Sequence, residues 1–324
     1  MNKPQQDPSS FQLLTPPDGL FLGLSTMWGI GRFQTLEGFF QAAEQLGFQR
    51  FELNHGVTPP MLLGLEGKCI TSVHEPCPAD PSVEELGRLD FLISSLDPSK
   101  RAQGIAAVKR SIDLASRLGA SLVILHPGRV NMDPSYETTL RDLYEKGRQN
   151  SEEYQLILVA YRDHRRRSAR PHLAAVKESL GELGEYASKK GIRLGLENRF
   201  YYHEIPTPEE LSELLDATPS EWVGFWYDVG HGEVLHRLGL IRRDEWGTGF
   251  RDRMVGVHLH DVEGIRDHRP AGQGSMNWEE ILSHLPPNLT VTCEFQSTFS
   301  GEEIRKATWF LQSHYANYLQ GAST

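Results

Sequence analysis

Six short apolar segments of this 324-residue chain each run into a polar residue that can bind a cation or carry a proton, just before a turn. They read SVHEP, ILHPG, GLENR, WYDVGH, VHLHD and TCEF. They present His74, His126, Glu197, Asp228 with His231, His258 and Glu294. Side chains alternate between the two faces of a strand. Next to Glu197 stand Leu194 and Leu196, next to Asp228 Phe225 and Tyr227, next to His258 Val255, Val257 and Leu259, and next to Glu294 Val291, Cys293 and Phe295. All of these suit a helix layer. The residues that share the polar groups' face are Gly195, Gly224, Gly256 and Thr292, which suit a barrel lumen. The carboxylates and imidazoles are therefore expected to point inward and converge. Converging carboxylates repel one another and resist desolvation, and a divalent cation removes that cost. A sulfur-free set of carboxylates and imidazoles is hard to borderline in character and suits Mn2+, Mg2+, Co2+ or Zn2+. A lone strand histidine is more often a satisfied core group, but six strand ends in succession do not fit that reading.

Eight strands are expected to position these groups: Leu20–Trp28, Arg50–Gly56, Ile70–Cys77, Leu122–Gly128, Arg193–Arg199, Val223–His231, Met254–Val262 and Leu289–Phe295. From Glu197 onward the polar strand ends recur at intervals of about 30 residues, the length of one strand–helix unit. Between strands lie amphipathic stripes such as Ile105, Val108, Ile112, Ala115 and Leu118, or Leu173, Val176, Leu180, Leu183 and Ala187. Strands each followed by a helix imply parallel pairing and closure into a single (β/α)8 barrel, an α/β fold. The barrel is expected over residues 16–324, behind a flexible arm over 1–15. Its one long interruption, 129–170, follows the fourth strand and reads as an inserted helical segment on the catalytic face. The run Arg162, Arg165, Arg166, Arg167 and Arg170 within it is expected to be a solvated helical face rather than a phosphate site.

Composition narrows the partners. The net charge of −10 disfavours nucleic acid and anionic membranes. Apolar residues make up 39% of the chain, but no run is long enough to span a bilayer, and the N-terminus has no signal-peptide core. Three cysteines without a CxxC pair argue against a thiolate zinc site and suit a reducing compartment, with the cytoplasm as default. Cys69 and Cys293 are expected to be small buried hydrophobes.

As an ordered set, the motifs E-N, D-x-x-H, H-x-x-D, G-x-G and E resemble the xylose isomerase-like TIM barrel superfamily. It includes sugar phosphate isomerases and epimerases, ketose 3-epimerases, inosose dehydratases and the endonuclease IV type (AP endonuclease family 2). The resemblance implies shared metal ligands at Glu197, Asp228, His258 and Glu294, and a substrate-contacting histidine at His231. It makes His74, His126, Asp267 and His268 additional metal or substrate residues, because the three histidines match further zinc ligands of the endonuclease IV branch. Asp267 is one place out of register with that branch's aspartate. Gln273 stands where that branch usually has Glu, and the insertion is foreign to it.

The leading expectation is a metal-dependent isomerase, epimerase or dehydratase of a sugar, sugar phosphate or polyol, with no organic cofactor. The metal would hold a carbonyl and a neighbouring hydroxyl and stabilise an enediolate. Glu197 and Glu294 would act as general base and acid, and His231 would bind a hydroxyl. Trp28, Trp226, Tyr201 and Tyr202 would form an apolar wall under the sugar, although simple packing explains each equally well. The partner is then a small carbohydrate, and a homo-oligomer is compatible with this reading. The alternatives are a two- or three-zinc phosphodiesterase acting on abasic DNA or another phosphate ester, and a non-catalytic binding barrel. Fold alone does not decide among them.

Overall fold

The computed structural model of the chain describes residues 21–247, 249–286 and 289–321. The expected arm over 1–15, and Leu20 of the first expected strand, lie outside the described residues. The strands are β1 (Leu22–Ser25), β2 (Phe51–Leu53), β3 (Ile70–His74), β4 (Leu122–Leu125), β5 (Arg193–Glu197), β6 (Val223–Asp228), β7 (Met254–Leu259), β8 (Asp261–Glu263), β9 (Arg266–Arg269) and β10 (Thr290–Cys293). All but β8 and β9 close into a parallel barrel in the order β1-β10-β7-β6-β5-β4-β3-β2. The helices are α1 (Leu36–Gln45), α2 (Val83–Leu89), α3 (Pro98–Leu118), α4 (Ser135–Glu145), α5 (Glu152–Lys189), α6 (Pro208–Asp216), α7 (Val229–Arg237), α8 (Asp244–Gly247), α9 (Trp278–His284) and α10 (Gly301–Gly321).

Local chemistry sets the helix ends. The Asp97 carboxylate accepts the amides of Ser99 and Lys100 at the start of α3, and Gly119 closes that helix with φ +71. Thr207 and Glu210 form a reciprocal capping box at α6. The expected stripes face inward: Val108, Ile112 and Ala115 on α3, and Leu173, Val176, Leu180, Leu183 and Ala187 on α5, are buried against the sheet.

Strand alternation builds two cores. Leu194, Leu196, Phe225, Tyr227, Val257, Cys293 and Phe295 belong to the large core that includes the helices. Inside the barrel, Leu122, Ile124, Trp226 and Val255 form a separate plug. Glycine makes room for that plug: a Cβ at Gly256 would lie 2.0 Å from the Trp226 ring, and one at Gly195 would lie 3.1 Å from Trp226 Cβ. The site therefore rests on a packed, apolar floor.

Several local expectations change. The sixth strand ends at Asp228 rather than His231, because Asp228 caps α7, which begins at Val229. Val255 was expected in the helix layer, but the β6–β7 register shifts between Phe225 and Trp226, and the extra residue turns Val255 into the lumen. The seventh barrel strand ends at Leu259 rather than Val262. The Asp261 carboxylate there accepts the amides of Val262, Gly272 and Met276 and the Trp278 indole N–H, which turns the chain into the β8–β9 hairpin. Cys69 is exposed, because it precedes β3 in the connecting loop. Arg165 is buried rather than solvated: its Nη1 and Nη2 donate to both Glu210 oxygens at 2.7 and 2.8 Å. The rest of the arginine run is on the surface, where Arg166 pairs with Asp163 and Arg170 with Glu213.

The interruption after β4 contains α4 and the first half of α5, which continues unbroken into the barrel helix. From α4, Glu137 accepts the Tyr202 amide at 2.9 Å and Arg141 donates to the Phe200 carbonyl at 2.9 Å. The insertion thus braces the 198–206 loop at the barrel mouth. Among the described residues, no helix is long and apolar enough to cross a membrane.

Candidate metal centre and active site

The D-x-x-H motif follows from helix geometry. Asp228 ends β6 and is the N-cap of α7, where its Oδ1 accepts the His231 amide at 2.7 Å. A cap and the third residue of its helix lie on one side of the first turn, so the two side chains reach the mouth together. Gly230 between them is required by contact: a Cβ there would lie 2.0 Å from the His260 ring. On β7, His258 lies at the centre of the carboxylates. Its Nδ1 is 3.0 Å from Glu197 Oε1, 3.2 Å from Glu294 Oε2 and 3.5 Å from Asp228 Oδ2.

One ligand atom each from Glu197, Asp228, His258 and Glu294 lies within 4.8 Å of the others, and all four residues are buried. Donors about 2.1 Å from a shared ion stand roughly 3–4 Å apart, so this set fits a divalent cation with little adjustment. A second observation fits too: among the described residues the buried His74 Nδ1 has no hydrogen-bond partner, and it faces Glu294 Oε1 at 3.7 Å and Glu52 Oε1 at 3.9 Å. Protons alone satisfy this cluster only by charging its imidazoles. Burial lowers the His258 pKa, but Glu294 and Glu52 override it and hold the ring well above the usual histidine value. Burial likewise opposes ionisation of Glu197, Asp228 and Glu294. Neighbouring groups reverse that effect, led by the Arg199 guanidinium at Glu197, the His231 imidazole at Asp228 and the His258 imidazole at Glu294, so all three carboxyls fall below the usual range.

The remaining sequence-identified residues surround this set. His74, His126 and Glu197 form a second group of close donors, with the two Nε2 atoms 2.7 Å apart. Asp228, His231, His260 and His268 form another. Asp267 sits on the hairpin, 3.1 Å from His268 Nδ1 and 3.7 Å from His231 Nε2. His268 has φ +53, a left-handed conformation costly for histidine, and its ring stacks on His260 at 4.3 Å. The four aromatics take different positions. Trp226 is sealed beneath the His258 ring, 4.9 Å away edge-on. Trp28 packs on Phe33 and Phe39 and donates to the Phe299 carbonyl. Tyr202 packs on Tyr161, and Tyr201 is 44% exposed.

Sequence reasoning passed over several residues that the fold brings here. Glu52 lies 3.1 Å from His258 Nε2, and alternation between Phe51 and Leu53 already aims it inward. His260 is two residues from His258 and 2.9 Å from Asp228 Oδ1. Asn54 donates to Glu294 Oε1 at 3.0 Å. Phe200, 5.7 Å from the His231 ring, is the aromatic beside that histidine. Arg199 forms an ion pair with Glu197, and its position depends on a loop fold that local pattern does not reveal.

A family model described as xylose isomerase-like TIM barrel matches residues 40–313. An uncharacterized protein of Methanocaldococcus jannaschii is 31% identical over 110 residues, covering 33% of this chain and 37% of its own length. One of Sinorhizobium fredii is 21% identical over 219 residues, covering 66% of this chain and 59% of its own. The chain thus spans less than two thirds of the length of these relatives. Among solved structures, it is similar to a D-tagatose 3-epimerase-like protein, with TM-score 0.64, 18% identity, and coverage of 94% of this chain and 100% of that one. It is also similar to the IOLI protein with a binding zinc atom, with TM-score 0.61, 14% identity, and coverage of 92% and 99%. At these identities the likeness shows the shared barrel.

Proposed function

The chain belongs to the xylose isomerase-like TIM barrel family, and on that premise we propose that it is a metal-dependent isomerase or epimerase of a sugar or polyol. The observation that carries this reading is the convergence of Glu197, Asp228, His258 and Glu294 on one point at the barrel mouth. The printed names of two fold neighbours, a 3-epimerase-like protein and a zinc-bound protein, agree with it.

A divalent cation held by those four groups would polarise a substrate carbonyl and an adjacent hydroxyl, which eases removal of the proton on the hydroxyl-bearing carbon. The chain's own residues supply the rest. Glu294 and Glu197 are held ionised, so either can accept a proton from carbon and return it. Asn54 fixes Glu294 through Oε1, leaving Oε2 on the His258 side. His231 Nδ1 donates to the Asn198 carbonyl at 3.1 Å. Burial holds that imidazole below the usual histidine value despite Asp228. The neutral ring then offers Nε2 to accept a substrate hydroxyl.

The test is incubation with ketohexoses, aldoses and cyclic keto-polyols in deuterated water. The expected product is an epimer or isomer carrying deuterium at one carbon, with activity lost to a chelator and restored by Mn2+ or Co2+. Turnover without solvent deuterium, or turnover that survives thorough chelation, would sink the proposal. A second reading, phosphate-ester hydrolysis with several zincs, is favoured by the His74–His126–Glu197 group. It predicts cleavage of a bis-aryl phosphodiester and more than one ion per chain.

A further inference from the structure

Three side chains, His126, His74 and Arg199, meet at Glu197 Oε2. His126 Nε2 lies 3.2 Å from it and His74 Nε2 3.7 Å. The two imidazoles face each other at 2.7 Å and, with Glu197, offer three ligand atoms, the usual number of protein ligands at an open zinc site. Yet the same oxygen already receives a full positive charge from Arg199 Nη1. A guanidinium stays protonated at any physiological pH.

Arg199 is also held in place from behind. Its Nε lies 3.3 Å from Glu204 Oε1, and Glu204 Oε2 accepts the Tyr201 amide at 3.0 Å. The loop carrying all three is bridged through Glu204 to Arg129 and tied to α4 by Arg141 and Glu137. The insertion that braces this loop therefore has a local consequence, which is to hold this guanidinium against Glu197.

We propose that Arg199 is a built-in cation that limits the mouth to one metal ion, by occupying the Glu197 oxygen that a second ion at His74 and His126 would need. The inference rests on the metal-centre reading above and deepens it. The second ion site is present in side chains but filled by the protein itself. Arg199 is a positioning residue: it acts through Glu197, leaving Oε1 on the His258 side for the retained ion.

The test counts zinc per folded chain after growth in excess zinc and gel filtration, in wild type, Arg199→Lys, Arg199→Met, His126→Ala and the Arg199→Met/His126→Ala double variant. One zinc is expected in wild type and in Arg199→Lys, which keeps the charge. Two are expected in Arg199→Met and one in the double variant. One zinc in both wild type and Arg199→Met overturns this inference alone. Zero in wild type overturns both it and the metal centre beneath it. Should Arg199→Met fail to fold, His126→Ala decides on an intact Arg199 background. A count of one in both wild type and His126→Ala supports the proposal, and a fall from two to one overturns it.

Discussion

Glu294→Gln should leave a folded barrel that no longer turns over, with kcat at least about 1,000-fold down, and Glu197→Gln should do the same. General acid–base groups contribute roughly 100- to 10,000-fold on their own. Here each carboxylate would also be a ligand, so proton transfer and cation binding are lost together. Glu294 is the cleaner case. A glutamine oxygen can still accept from Asn54 Nδ2, which sits 3.0 Å from Oε1, so packing persists while charge and basicity go. Glu197→Gln additionally removes one of the two carboxylates paired with Arg199. The assay is steady-state turnover on whichever sugar wild type accepts, with thermal melting as the control for folding. Near-normal turnover in either variant would refute the assigned roles.

The metal-free chain should lose stability as pH rises from 6.5 to 9, by about 3 kcal/mol from one histidine. Burial lowers the His74 pKa, but Glu197 and Glu294 outweigh it and raise it from 6.5 to about 9. A histidine whose folded pKa is raised contributes stability that is fully present below its unfolded pKa of 6.5. That contribution is lost as pH climbs through the folded value near 9. His258 and His268 are displaced upward as well, so they act in the same direction. His126 and His231 are displaced downward and act below pH 6.5, outside this window. With a cation bound, the carboxylates no longer depend on protonated imidazoles, and the slope should flatten. Urea midpoints at pH 6.5 and 9.5, with and without chelator, measure the difference. Parallel profiles would mean that no cation shares charge with these carboxylates.

Much of this site was legible because a barrel strand has a strict period of two. Once Leu194 and Leu196 are placed outside, Gly195 and Glu197 must lie inside, and the same logic placed Asp228, His258 and Glu294. Applied to β2 it would have added Glu52, and two residues past His258 it would have added His260. The period failed at Val255, where one extra residue in the β6–β7 ladder reverses the face. It also failed past Leu259, where Asp261 gathers four donors and turns the chain. Arg199 and Arg165 were hidden for another reason. Arg165 meets Glu210, 45 residues on, and Arg199 meets Glu197 and Glu204 only because the loop between them folds back, which no local pattern encodes.

One divalent cation is proposed to sit among Glu197, Asp228, His258 and Glu294. Anomalous diffraction from crystals grown in Mn2+ tests it most directly. The account predicts a single peak bounded by those four side chains, absent in His258→Ala crystals grown in the same way. A peak elsewhere in the barrel, or none at saturating Mn2+, would contradict it.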